Sequence, residues 1–399
     1  DGRYLPLSPM PKDITYGTTT YKKGAMVMHS LRGYLGDDLF RTAQQKVLKD
    51  YAYSNLTANT YRDALSAASG IDLTDFFNRW VFDIGFYDFS IQDFHALEFS
   101  INTHEITIKQ KLLKSNGFLK DAPVSITFVD QDNKLITQKV LCTGEVTTIP
   151  LTLAFNPKAV FINAPLTLNL AQFNSLQKIT KKGSPNFTYS NLIVNVTEIQ
   201  DSTWAYAEHH YTAPDASLNP NVKMNDLHFW KLTIADPELI TMIGKIEYNT
   251  TWDSELLKNG EDSIQLFYRA NGTEDWLVYP FYTKSGGSAS DKKGSFVISK
   301  YLQGEYATGN IDPAALSNLT AKQFSKLSVY PNPTTGKINL DLAKFASKGD
   351  NNFNISFINT SGEIVYETNL KATDISLDLP TMITSGSYQI VISSENGEI

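Results

Sequence analysis

The fold of the N-terminal region is decided by the stretch Thr20-Tyr21-Lys22-Lys23-Gly24-Ala25-Met26-Val27-Met28-His29-Ser30-Leu31-Arg32, which is followed by Leu35-Gly36-Asp37. Its apolar residues recur at helical intervals, which predicts an amphipathic helix with one apolar face. That face comprises Tyr21, Ala25, Met28, Leu31 and Leu35. Gly36 is predicted to end this helix as a C′ glycine, and Asp37 to cap the next one.

The same helical spacing continues to about residue 85. The second helix is predicted to bury Phe40, Ala43, Val47 and Tyr51, and the third to run from about Thr60 to Gly70. Thr74 is predicted to cap a short fourth helix that carries Phe76, Phe77 and Trp80. Four short helices bury little surface alone, so we expect them to form one face of a larger helical domain. The first residue is Asp1 rather than Met, and we expect the remainder of that domain to lie upstream.

From Phe86 onward the apolar period changes from 3.6 to 2, which predicts strands. Val124, Ile126 and Phe128 alternate with polar residues before a turn at 130–133. Further strands are predicted at Leu192–Val196, Trp204–Tyr211, Phe229–Ile234, Lys245–Tyr248, Ile264–Tyr268, Trp276–Tyr279 and Phe296–Ile298. The predicted fold is multidomain and mainly β, with an α-helical remnant of a catalytic domain followed by three β-sandwich domains of immunoglobulin or fibronectin type. The predicted boundaries are 1–85, 86–175, 176–318 and 319–399.

The composition of the chain argues against several classes of function. The chain has 399 residues, 42% of them apolar and 19% charged, with a formal charge of −7. An acidic chain without a run of Lys and Arg is not expected to bind nucleic acid, because that requires clustered cations. Cys142 is the only cysteine, so neither an internal disulfide nor a multi-cysteine metal site can form, and we expect it to be inert. No apolar run approaches the ~18 residues of a membrane helix.

Two motifs resemble the aminopeptidase N family of gluzincin zinc metallopeptidases. Tyr21-Lys22-Lys23-Gly24-Ala25 is similar to the family's Tyr-x-Lys-Gly-Ala helix, and 76–81 resembles the Phe-Phe-x-x-Trp ending of its catalytic domain. The resemblance extends weakly to about residue 170. The family often has Gly-x-Pro after that tryptophan, whereas here Gly85 precedes Phe86-Tyr87, which leaves the domain junction open.

By this resemblance Tyr21 is the catalytic tyrosine of a secreted hydrolase that cleaves peptide bonds. A phenol is protonated at neutral pH and can donate a hydrogen bond to the oxyanion formed when water attacks the scissile carbonyl. The resemblance also implies zinc as cofactor, held by a His-Glu-x-x-His helix and a later Glu. This sequence contains no such motif, so we expect the ligands upstream and this chain to be inactive alone. Without zinc, water keeps a pKa near ~15.7.

Other candidate residues are expected to be structural. His209 and His210 lie in a strand pattern, where neighbours face opposite ways, and we expect ordinary surface histidines there. His29 and Arg32 follow Tyr21 on the first helix and are expected to support the fold. Carboxylates such as Asp72 are expected to cap helices rather than act as acid–base pairs.

The C-terminal region has a resemblance of its own. The stretch Leu327-Ser328-Val329-Tyr330-Pro331-Asn332-Pro333-Thr334-Thr335-Gly336 is similar to the opening of the sorting domain read by the type IX secretion system of Bacteroidetes. The turn at 359–363 and the strand at 385–390 fit that pattern. This resemblance implies secretion or attachment to the outer-membrane surface, with the secretion machinery as a partner. Such domains usually finish with a basic strand, which we expect to be missing after Gly397-Glu398-Ile399.

A second hypothesis is a non-enzymatic cell-surface array of β-sandwiches that binds carbohydrate or protein. Aromatic residues of the middle region could provide stacking platforms, namely Trp204, Tyr206, Trp230, Trp252 and Trp276. In a β-rich chain such residues are more often part of the core. The sequence leaves open the residue preference, aminopeptidase against endopeptidase action, and the role of residues 176–318.

Overall fold

The computed structural model describes residues 4–97, 102–258, 260–286 and 291–311, together with shorter stretches of the C-terminal region. Those stretches are 329–330, 336–340, 352–358, 364–371, 373, 376–380, 383, 388–394 and 397–398. The chain divides into two compact units, Asp1–Asn310 and Ile311–Ile399. The architecture is mainly β, which confirms the predicted fold class. The division into four domains stays a prediction.

The helical region follows the predicted order. Its α-helices are α1 (Gly24–Leu35), α2 (Asp37–Asp50), α3 (Ala58–Ser69) and α4 (Thr74–Phe76), with π-helical turns at Thr19–Lys23 and Phe77–Val81. Short 3-10 helices lie at Lys12–Ile14, Thr188–Ser190, Pro237–Leu239 and Glu261–Ser263. Gly36 ends α1 at φ +79°, a conformation that glycine adopts without strain, and its amide donates to the carbonyl of Arg32 at 2.8 Å.

The capping predictions were only partly right. Asp37 is the first residue of α2, but its carboxylate binds the Arg32 guanidinium through two hydrogen bonds of 2.8 Å instead of capping the helix. At the start of α4 the side chain that binds a backbone amide is that of Asp72, not Thr74. Its Oδ1 accepts a hydrogen bond from the Thr74 amide at 2.8 Å. α3 is capped by Thr57, whose Oγ1 accepts from the Thr60 amide at 3.1 Å.

Two three-stranded antiparallel sheets follow the helices. Their strands are β1 (Phe86–Ala96), β2 (Thr103–Leu113), β3 (Ala122–Val129), β4 (Leu135–Cys142), β5 (Val146–Thr152) and β6 (Ala159–Ile162). One sheet has the order β1-β2-β5 and the other β4-β3-β6. The helices share one hydrophobic core with these sheets, because Leu31 and Trp80 belong to the same buried cluster as Phe89 and Phe128. Helical and β segments therefore stabilise each other by burying common apolar surface.

The remainder of the first unit pairs into two larger antiparallel sheets. The strands are β7 (Gln172–Ile179), β8 (Ile193–Ile199), β9 (Thr203–His210), β10 (Val222–Met224), β11 (Phe229–Ile234), β12 (Ile240–Tyr248), β13 (Ile264–Arg269), β14 (Leu277–Val278), β15 (Tyr282–Gly286), β16 (Gly294–Ile298) and β17 (Gly304–Ile311). One sheet runs β14-β13-β17-β11-β9-β7 with β10 beside β17, and the other β15-β16-β12-β8. The proposed boundary at 175 and 176 lies inside β7, all of which pairs with β9.

The second unit contains short antiparallel sheets. Its strands are β18 (Val329–Tyr330), β19 (Lys337–Leu340), β20 (Asn352–Ile358), β21 (Ile364–Lys371), β22 (Ser376–Asp378), β23 (Gln389–Ser394) and β24 (Gly397–Glu398). The sheet orders are β18-β19-β22 and β21-β20-β23-β24, around a core that includes Ile338, Phe353 and Phe357. The predicted turns at 331–335 and 359–363 and the segment 385–387 lie outside the described residues.

Candidate functional site

Tyr21 lies on the π-helical turn Thr19–Lys23, directly before α1. Its amide donates to the carbonyl of Gly17 at 3.3 Å, while its side chain is 61% exposed. The predicted apolar face was therefore only partly right, because Tyr21 and Ala25 are exposed whereas Leu31 and Leu35 are buried. π-helical turns occur frequently at functional sites. The phenol is consequently presented to solvent, where it can reach a bound molecule.

Lys23 is the lysine of the Tyr-x-Lys-Gly-Ala motif, and it is buried. Its side chain points inward, and its ammonium group donates to the carbonyls of Leu5 at 3.0 Å and Gly85 at 3.1 Å. The same Nζ lies 4.9 Å from the centre of the Phe86 ring. Burial lowers the pKa of Lys23 to about 8, although the charge of Asp83 acts in the opposite direction. The sequence reasoning did not select this residue, even though the motif contains it.

α1 is fixed along one side to β4 and to the connection between β6 and β7. The Ser30 hydroxyl accepts from the Asn169 amide at 2.8 Å, and the Lys139 amine donates to the carbonyl of Gly33 at 2.6 Å. A Cβ on Gly33 would lie 2.5 Å from the Thr167 carbonyl oxygen, so only glycine permits this close approach. His29 belongs to the same contact, since its Nε2 lies 2.8 Å from the carbonyl oxygen of Leu166. His29 therefore helps to hold α1 against this connection.

The Phe-Phe-x-x-Trp ending forms an aromatic cluster beneath α1. Trp80 is buried, its ring centre lies 6.0 Å from Phe76 and 5.0 Å from Tyr87, and its Nε1 donates to the Tyr34 hydroxyl at 3.4 Å. Tyr87 is the second residue of β1. The cluster therefore joins the end of the helical region to the first strand, as the position of the motif before the predicted strands implies.

Histidines of the middle region are buried, which corrects the expectation of surface histidines. His209 and His210 are 1% and 0% exposed. They face opposite sides of β9, as the strand pattern predicted: His209 Nε2 lies 2.8 Å from His228 Nδ1, whereas His210 Nδ1 lies 2.9 Å from an oxygen of Asp88. Burial alone would lower the pKa of His210, but the charges of Asp88 and Glu208 outweigh it and raise that pKa to about 9.

Metal ligands do not converge in this part of the protein. Among the described residues, no group of three or more His, Cys, Asp or Glu side chains could hold a metal ion. Cys142 is buried, and burial raises the pKa of its thiol to about 12, which disfavours the reactive thiolate.

The aromatic residues considered as stacking platforms are mostly core residues. Tyr206, Trp230 and Trp276 are at most 3% exposed. The Tyr206 hydroxyl donates to the carbonyl of Ile162 at 2.7 Å, and Trp276 Nε1 donates to the carbonyl of Asp215 at 2.9 Å. Their faces are therefore not accessible to a sugar ring. Trp204 and Trp252 are half-buried.

Residues 8–80 match the Peptidase family M1 domain, so the match contains both Tyr21 and Trp80. This segment is therefore similar to part of a family M1 peptidase domain. Similar proteins include a probable aminopeptidase 2 of Sulfurisphaera tokodaii, 29% identical over 112 residues, which are 28% of this chain and 13% of that protein. Aminopeptidase N of Lactococcus lactis subsp. cremoris is 27% identical over 177 residues, 40% of this chain and 20% of the relative.

The chain spans only a small part of the length of these relatives. Aminopeptidase N of Lactococcus lactis subsp. lactis, 35% identical over 66 residues, is covered over 8% of its length and covers 16% of this chain. Among solved structures, Legionella pneumophila aminopeptidase A in complex with aspartic acid aligns at a TM-score of 0.33 and 17% identity, over 38% of this chain and 17% of that one.

Residues 328–399 match a Secretion system C-terminal sorting domain. This match confirms the predicted sorting region and indicates secretion and attachment to the cell surface. Over the residues that the structure describes, no helix is both long and apolar enough to cross a membrane.

Proposed function

We propose that the chain is the C-terminal part of a secreted, zinc-dependent M1 aminopeptidase, in which Tyr21 donates a hydrogen bond to the oxyanion of the reacting peptide. The observation that carries this proposal is the exposed phenol of Tyr21 on the π-helical turn inside the M1-matched segment. The names of the relatives support aminopeptidase rather than endopeptidase action. Burial of Tyr206, Trp230 and Trp276 removes most of the support for a carbohydrate-binding array.

Tyr21 has the chemistry for this role. A protonated phenol is a hydrogen-bond donor whose position is fixed before the reaction, so it can stabilise developing negative charge without reorganising. The rest of the site would come from residues outside this sequence. The described side chains do not fit a zinc ion, so zinc would be held by residues elsewhere.

Metal removal tests the zinc dependence of the complete gene product. We expect a chelator to abolish its hydrolysis of aminoacyl anilides and added Zn²⁺ to restore it, because in this reaction class zinc would activate the attacking water. The 399-residue chain alone, assayed in parallel, should be inactive. Undiminished hydrolysis in the presence of the chelator would contradict the zinc assignment, and hydrolysis by the chain alone would contradict its dependence on outside residues.

Deletion of the sorting domain tests export. The protein truncated at about residue 326 should accumulate inside the cell, because we propose that the type IX machinery recognises residues 328–399. The measurement is the partition of the protein between cells, outer membrane and medium, by immunoblot. The matched control is the same truncation fused to the C-terminal sorting domain of another exported protein, which should restore export. Normal export of the truncated protein would contradict the proposal.

A further inference from the structure

Tyr21 and Lys23 lie two residues apart on one helical turn, and their side chains point in nearly opposite directions. Residues at this spacing do not share a helix face. The exposed fractions agree, since Tyr21 is 61% exposed and Lys23 only 8%. Whatever holds Lys23 in the interior therefore also fixes the outward direction of Tyr21.

The Lys23 amine is held by two distant parts of the chain. Leu5, whose carbonyl accepts from it at 3.0 Å, is 18 residues away, and Gly85, which accepts at 3.1 Å, is 62 residues away. The ring of Phe86, the first residue of β1, lies under the ammonium group at 4.9 Å. An ammonium above an aromatic face is attracted by the ring's quadrupole. Lys23 thus connects the turn of Tyr21 to the start of the first sheet.

The groups that receive the amine are themselves fixed. The Gly85 amide donates to the carbonyl of Tyr4 at 2.9 Å, and the Leu7 amide donates to the carbonyl of Val81 at 2.9 Å. Gly85 has φ +77°, and a Cβ there would lie 2.2 Å from the carbonyl oxygen of Leu113, so only glycine fits at this position. The two carbonyls that accept hydrogen bonds from Lys23 are therefore held in place by the surrounding backbone.

We propose that Lys23 is the positioning residue of Tyr21. Its amine binds the π-helical turn to the carbonyls of Leu5 and Gly85 and thereby sets the direction of the phenol. The inference rests on the proposed function of Tyr21. A buried ammonium group has a desolvation cost, which here is offset by the two carbonyl acceptors and the Phe86 ring. A methionine at this position would fill the space but would leave both carbonyls without a donor.

The test uses the complete gene product with Lys23→Met, and with Lys22→Met as matched control, because Lys22 is on the same turn but exposed. We expect Lys23→Met to lower kcat roughly tenfold and to leave KM within about twofold, since a small displacement of a positioned group costs rate more than binding. Lys22→Met should retain the original kcat. Should Lys23→Met fail to fold, the shorter Lys23→Gln, which keeps N–H donors, should show the same loss in weaker form.

A double-mutant cycle separates positioning from general support of the fold. If Lys23 acts through Tyr21, Lys23→Met should cause no further loss of kcat in a Tyr21→Phe background, because the group it positions is already gone. An equal loss of kcat in both backgrounds, or an unchanged kcat in the single variant, would overturn the proposal.

Hydrogen exchange provides a readout that does not depend on activity. Amides of the Thr19–Lys23 turn should exchange faster in Lys23→Met than in Lys22→Met, because the turn is no longer held. Unchanged exchange would overturn the role of Lys23 whatever the kinetics show. Faster exchange combined with full activity of Tyr21→Phe would instead overturn the proposed function of Tyr21 and leave the structural anchor intact.

Discussion

Tyr21→Phe in the complete gene product should lower kcat for aminoacyl anilides by about 10²- to 10³-fold and leave KM within about twofold. The substitution removes only a hydroxyl, and the proposed hydrogen bond forms to charge that exists in the transition state. An interaction of that kind affects kcat rather than substrate binding. Because the Tyr21 side chain is 61% exposed, its hydroxyl supports no buried contact, and the melting temperature should not change.

Tyr16→Phe is the matched control for this measurement. Tyr16 precedes Tyr21 by five residues and is 86% exposed, so the control deletes the same hydroxyl from an accessible tyrosine outside the π-helical turn. We expect Tyr16→Phe to keep kcat within about twofold of the original value, as is usual for surface substitutions away from a site. Full activity of Tyr21→Phe, or equal losses in the two variants, would show that Tyr21 is not the oxyanion donor.

The N-terminal region shows how much of the site local sequence could predict. The apolar spacing and Gly36 predicted α1 and its end because helix formation depends on residues within a few positions. The π-helical turn was not predicted, and so Tyr21 was assigned to an apolar face although it is exposed. Lys23 was missed because its burial depends on the carbonyls of Leu5 and Gly85, which no periodicity near Lys23 indicates.

In the middle region, too, local features were predicted and contacts between distant residues were not. Strand positions such as Phe229–Ile234 were predicted at their observed bounds, because alternation is a local signal. The environment of His210 was not, because it requires Asp88, which lies 122 residues away on β1. His210 was interpreted as solvent-facing because it is polar, although its side chain contacts the buried carboxylate of Asp88. Only the contact between these distant segments, which belong to different sheets, reveals this.

A row of alternating charges crosses the sheet beside His210. Glu208 on β9 is registered with Lys231 on β11, which is registered with Glu305 on β17, and Glu305 with Arg269 on β13. The Lys231 amine lies 3.5 Å from Glu305, and Arg269 donates to Glu305 at 2.6 Å. Opposite charges on neighbouring strands attract, and burial strengthens that attraction. These ion pairs explain how the charged side chains of this sheet can be buried inside the first unit.

Asp88→Ala should lower the free energy of unfolding of the first unit by about 3–5 kcal/mol at pH 6, because it removes the nearer of the two carboxylates that face the buried His210. Asp88 is 1% exposed and also accepts from the Thr212 hydroxyl at 2.6 Å. Denaturant unfolding followed by tryptophan fluorescence measures this unit, since all five tryptophans lie before residue 310.

Asp93→Ala is the matched control on the same strand. Asp93 lies 2.8 Å from His95, but both side chains are at least one-third exposed. Removing one member of an exposed pair changes stability by roughly 0–1 kcal/mol, because water already screens the interaction. A similar loss of stability in Asp88→Ala and Asp93→Ala would show that burial does not strengthen the His210 pair.

The effect of Asp88→Ala should also depend on pH in a direction that the pKa of His210 fixes. That pKa is raised from its ordinary 6.5 to about 9 because the charges of Asp88 and Glu208 outweigh burial. The folded state therefore binds a proton that the unfolded state releases between pH 6.5 and 9, so this stabilisation is complete below pH 6.5 and is lost as the pH rises through 9. The stability difference between the original protein and Asp88→Ala should accordingly be larger at pH 6 than at pH 9. An equal difference at both values would show that His210 is not protonated in the folded protein.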